Sequence, residues 1–96
     1  MDRAAALQEL VDEYHDQEVI EGSRLDEYCL ERAKLELVRE ILLEHGETSE
    51  ADHLLVEIHA LDHKIEASEE VLARLNRLTG IFQGSLDRIR EGSHTP

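Results

Sequence analysis

Histidine and carboxylate side chains in the middle of the sequence have the spacing of metal ligands. Glu50 and His53 are three residues apart, which places a carboxylate and an imidazole on one face of a helix, as in iron-binding helical bundles. His59 and His63 lie one helical turn apart, a spacing that suits zinc or another divalent ion. The pattern raises the hypothesis of an iron or zinc site built from these four residues and Glu57.

The elements that would position these side chains are predicted to be helices. Leu, Glu, Ala, Arg and Lys dominate the 96 residues, and the single proline is the last residue, Pro96. Gly46 has the character of the left-handed residue that ends a helix. Ser49 follows as the expected N-cap of a second helix, with Asp52 at the capping-box position. These signals predict a tight turn between two helices.

The stretches before and after this turn are of nearly equal length, which is typical of an all-α antiparallel helical hairpin. We expect a single domain over residues 1–92. Its arms lie at about 3–45 and 50–91 with the turn at 46–49, and residues 93–96 form a disordered tail.

Two glycines leave alternatives open. Gly22, followed by Ser23, repeats the pattern seen at the central turn, so a break there would give three helices instead of two. Gly80 would allow the second arm to end near Thr79, with a short third helix after it.

The second arm carries a 3.5-residue repeat of apolar residues, the mark of a helix in a coiled-coil seam. Nine of its eleven positions are apolar, and the exceptions, Ser68 and Thr79, are small. The metal-ligand candidates lie outside this row, so any metal site is expected at an interface between chains and not inside the hairpin. The repeat consists of Leu54, Ile58, Leu61, Ile65, Ser68, Leu72, Leu75, Thr79, Phe82, Leu86 and Ile89.

The apolar surface of both arms is wider than one partner helix covers. On the first arm Leu30, Ala33, Leu37 and Ile41 share one side, and a second apolar face lies around the corner from them. We therefore expect the hairpin to associate into a four-helix-type bundle, as a homodimer or with another helical protein. The residues left over for this interface are Leu35, Val38, Leu42, Leu55, Val71 and Leu78.

Charge and composition exclude several classes of partner. The chain has 23 acidic and 10 basic side chains, a net charge of −13, which argues against binding to nucleic acid. Its apolar runs are no longer than four residues, too short for a membrane span. One cysteine, Cys29, cannot form an internal disulfide, and we expect it to be a small packing residue in a cytoplasmic protein.

No residue pattern points to catalysis, since the glycines lack the strand and lysine of a phosphate-binding loop. The sequence therefore predicts a non-enzymatic protein-protein interaction module, a small helical scaffold or regulator that acts through its apolar helix faces. The alternative is a ferritin-like bundle that binds iron or zinc.

Overall fold

The structure, a computed structural model, describes residues 2–93 and contains two long helices. Helix α1 spans Arg3–Glu44 and helix α2 spans Thr48–Ser93. Residues 2–93 contain no strand. The expected all-α helical hairpin is thereby confirmed at this level. Ser93 is the last residue of α2, and the rest of the expected disordered tail, 94–96, lies outside the described residues.

The connection between the helices is closed by backbone hydrogen bonds around Gly46. Gly46 has a φ of 77°, the left-handed conformation expected at this position. Its N–H donates to the carbonyl of Leu43 at 3.1 Å, and the N–H of Glu47 donates to the carbonyl of Leu42 at 2.8 Å. This pair of bonds is a Schellman motif, which satisfies two carbonyls at the end of α1.

The start of α2 differs from the expected capping box. The carbonyl of Glu47 accepts the N–H of Ala51 at 3.1 Å, so Glu47 takes the N-cap position. Ser49, the expected N-cap, is already inside the helix, two residues after the observed N-cap. The Schellman motif explains the shift, because Glu47 closes α1 through its N–H and opens α2 through its carbonyl.

The helices continue through the two glycines at which a break was considered. Gly22 lies within α1 and Gly80 within α2, so residues 2–93 form two helices and not three. The chain divides into two compact units, unit 1 from Met1–Glu21 and Val71–Pro96 and unit 2 from Gly22–Glu70.

In unit 2 the packing is an apolar seam with polar residues at its edge. Ile58 and Leu61 of α2 are buried. A positive side chain also covers an aromatic ring, with Lys64 Nζ 5.7 Å from the ring centroid of Tyr28. The α1 residues of the seam are half-buried: Leu25, Tyr28, Arg32, Leu35, Arg39 and Leu42.

In unit 1 the packing is centred on Val11 of α1 and Leu86 of α2, which are 2% and 0% exposed. The rings of Tyr14 and Phe82 lie 5.2 Å apart at an angle of 53°, a tilted aromatic pair. Thr79 is buried, and its hydroxyl donates to the carbonyl of Leu75 at 2.8 Å, so its polar group is satisfied.

The apolar row predicted on α2 is confirmed, since each of its eleven residues is buried or half-buried. On α1 the expected roles of the two apolar faces are exchanged. Leu35 and Leu42 belong to the row that packs on α2, whereas Leu30, Leu37 and Ile41 are exposed. The expectation for Cys29 as a packing residue is also wrong, because this cysteine is exposed.

Candidate functional site

Three large apolar side chains of α1 in unit 2 lie uncovered on one side of the helix. Leu30, Leu37 and Ile41 are 58%, 57% and 45% exposed. Their spacing of seven and four residues keeps them on one face of an α-helix. We call these three residues the outer stripe. Val38, which is 45% exposed, extends it on one side.

The outer stripe has an acidic border. The charged residues three or four positions from one of its members are four carboxylates and one lysine, Lys34, and all five are exposed. Residues at this separation are surface neighbours on a helix. The outer stripe is therefore an apolar patch inside a negatively charged frame. The four carboxylates, which we call the acidic border, are Asp26, Glu27, Glu40 and Glu44.

Of the six residues expected at an interface between chains, most are only partly exposed to solvent. Leu35, Leu42 and Leu55 of unit 2 are half-buried within the chain, and so are Val71 and Leu78 of unit 1. Val38 is the one member of the set that is largely exposed. The two most exposed large apolar side chains of α1 in unit 2, Leu30 and Leu37, thus belong to the outer stripe, which the sequence pattern had assigned to the contact with α2.

An ion pair connects the two helices of unit 2 at their seam. The guanidinium of Arg32 donates to the carboxylate of Asp62, and its Nη1 donates to Glu36 Oε1 at 2.6 Å. The hydrogen bond from Arg32 lowers the pKa of Asp62 below its ordinary value. Partial burial opposes this effect, and the positive charge of Arg32 adds to it. The same hydrogen bond raises the pKa of Arg32.

This ion pair lies at a groove of about 310 Å³ between the helices of unit 2. Arg39 also lines the groove, and its Nε is buried with no hydrogen-bond partner. The lining carries Glu36 and Glu40 as well, so both charge signs meet there. Asp62 and Glu36 are both bound to Arg32, and the bond to Asp62 links α1 to α2 at this groove.

The predicted metal ligands lie on α2 and are exposed to solvent. Glu50, His53 and Glu57 belong to its first turns, and His59 and His63 follow. Over residues 2–93, no three His, Cys, Asp or Glu side chains are grouped so that they could hold a metal ion. The structure therefore does not bring the five candidates together within one chain.

Sequence reasoning missed the outer stripe because it treated the most apolar face of α1 as the buried one. A signal for the alternative was present in the sequence. The second face contains Tyr28, Leu35 and Leu42 at the same 3-4 spacing, with Arg32 able to reach the opposite helix.

Neither α1 nor α2, over the part of the chain that the structure describes, has a segment with the length and apolar character that a membrane crossing requires. Comparisons with protein families, with curated proteins and with solved structures find no match to this chain.

Proposed function

We propose that this chain is a non-enzymatic protein-protein interaction module, a small scaffold or regulator of the cytoplasm. The observation that carries the proposal is the outer stripe, three large apolar side chains that remain 45–58% exposed. Full burial of such a side chain is worth about 1.5–3 kcal/mol, and a partner would add the share that belongs to the exposed part of each one. A helix laid along this face is the simplest cover for it.

The proposal extends to assembly. Leu55, Val71 and Leu78 are each half-buried by their own chain, so part of their apolar surface is left for a second copy. Leu35, Val38 and Leu42 were expected beside them, and of these Val38 is the most open. Two hairpins joined through these residues form a four-helix-type bundle, and a twofold homodimer is the simplest closed arrangement.

The double variant Val71→Asp/Leu78→Asp tests this assembly by analytical ultracentrifugation. We expect the wild-type chain to sediment as a dimer and the variant as a monomer, because a charge at a buried contact is expensive to desolvate. The milder pair Val71→Ala/Leu78→Ala should weaken the dimer while circular dichroism reports native helicity.

The matched control is Val56→Asp/Ile81→Asp, which adds the same charge on α2 at side chains that are 71% and 52% exposed. We expect it to leave the dimer intact. A wild-type chain that is monomeric at every concentration tested contradicts the dimer. So does an unchanged mass for a fully helical Val71→Asp/Leu78→Asp variant.

A further inference from the structure

The charges around the outer stripe select the kind of partner that can cover it. Of the five charged neighbours of Leu30, Leu37 and Ile41, four are acidic. Unit 2 as a whole has 14 acidic and five basic side chains, a net charge of −9. An approaching surface must therefore supply apolar contact at its centre and positive charge at its edges.

We propose that the outer stripe binds a basic amphipathic helix of another protein. The inference rests on the proposed function and specifies its partner. Lysine and arginine side chains along both edges of such a helix reach the acidic border, while its apolar face covers Leu30, Leu37 and Ile41.

Other occupants meet repulsion at this surface. A second copy of the chain would bring the same four carboxylates against the acidic border, and like charges across a helix pair are unfavourable. Anionic lipid headgroups and nucleic-acid phosphates are repelled for the same reason. The dimer contacts at Val71 and Leu78 belong to unit 1, and neither residue is part of the outer stripe.

The stripe also sets the length of the partner. Leu30 and Ile41 are eleven positions apart in sequence, a rise of about 16 Å along the helix. A helix of about three turns is enough to cover it, with apolar residues at i, i+4, i+7 and i+11. Short segments of this kind are unstable alone and fold on binding.

The test uses fluorescence anisotropy with two labelled peptides of about 18 residues, a length of roughly 27 Å as a helix. Both carry the same Leu and Ala stripe, bordered by lysine in one and by glutamate in the other. We expect the full chain to bind the lysine peptide at least about tenfold more tightly than the glutamate peptide. Added salt should weaken binding of the lysine peptide.

Two variants locate the binding surface. Leu37→Gln/Ile41→Gln should weaken binding of the lysine peptide at least about tenfold, because it removes apolar contact without a change of charge. Its control, Val56→Gln/Ile81→Gln, removes two exposed apolar side chains elsewhere and should change the affinity less than about twofold.

A second pair of variants tests the acidic border. Glu40→Gln/Glu44→Gln should weaken binding of the lysine peptide several-fold. Glu69→Gln/Glu70→Gln changes the net charge by the same amount at exposed positions of α2 and should have a smaller effect.

Each contrary result has a distinct meaning. If the wild-type chain binds both peptides equally and the Leu37→Gln/Ile41→Gln variant binds neither, the inferred preference for a basic partner is wrong, but the proposed interaction module is still supported. Binding that this variant does not affect shows non-specific attraction and overturns the inference. If neither peptide binds but Val71→Asp/Leu78→Asp dissociates a dimer, only the inference fails. If neither peptide binds and no dimer exists, the proposed function fails as well.

Discussion

Arg32 and Asp62 are the side chains whose protonation is most directly tied to the pairing of the two helices in unit 2. The guanidinium favours the ionised carboxylate and thereby lowers the pKa of Asp62. A carboxyl whose pKa is lower in the folded than in the unfolded state stabilises the fold at pH values above its ordinary range. This contribution is lost as the pH falls through the lowered pKa.

The variant Arg32→Gln should therefore raise the titration midpoint of Asp62 toward the ordinary carboxyl value. The midpoint is measured from the side-chain carboxyl ¹³C shift as a function of pH. Glu36→Gln is the control, because it removes the other acceptor of Arg32 and leaves the bond to Asp62 in place. A wild-type midpoint at the ordinary value, or one that Arg32→Gln does not move, contradicts the assignment.

At the scale of the helix, two glycines should respond oppositely to the same substitution. Gly80→Ala adds a methyl group that meets no atom within 4 Å outside its own stretch of helix backbone, and it should raise the free energy of unfolding by about 0.5–1 kcal/mol. Gly46→Ala forces an L residue into a positive φ and should lower it by about 1–2 kcal/mol.

Urea unfolding followed by circular dichroism measures both changes under one set of conditions. Gly22→Ala serves as a second helical site with open space around the added methyl group. A destabilised Gly80→Ala variant would contradict the expected gain and indicate that the methyl group meets another molecule.

How far the sequence predicts this fold differs between the two helices. On α2 the apolar repeat is nearly complete, so its buried face follows from the pattern alone. On α1 the buried face includes Glu21 and the half-buried Arg32 and Arg39, which interrupt the pattern. The exposed face has Leu30 and Leu37 and looks more apolar. Sequence hydropathy therefore favours the wrong face.

The choice of face depends on interactions that hydropathy does not record. Arg32 has Glu36 as a partner on its own helix, but it gains its bond across the seam only after Asp62 has been brought opposite it. Long charged side chains can pack their stems at a seam while their ends are paired or solvated. The metal hypothesis had a similar limit, since residue spacing places ligands on a helix but does not supply a second element to close a site.

For the molecule as a whole, the net charge of −13 works against compactness at neutral pH. We expect the melting temperature to rise from low salt to about 0.5 M NaCl, where the screening length falls to roughly 4 Å. Glu66→Gln/Glu69→Gln/Glu70→Gln reduces the net charge by three and should melt at a higher temperature in low salt, with a smaller salt response.

Differential scanning calorimetry measures these changes, with sucrose as an uncharged control for general solute effects. A melting temperature that falls as salt is added would mean that attractive pairs such as Arg32–Asp62 outweigh the overall repulsion.

The Schellman motif at Gly46 also governs whether the two arms can be exchanged between molecules. Opening the hairpin into one continuous helix requires Gly46 to leave its left-handed conformation and breaks the bonds from Gly46 and Glu47. Because glycine holds this short turn without strain, the native sequence gains nothing by opening. A bulkier residue at position 46 would be strained in the closed turn, and the strain would be relieved in the straightened form, in which each α2 docks on the α1 of a neighbour. Gly46 therefore favours the closed hairpin over a domain-swapped assembly.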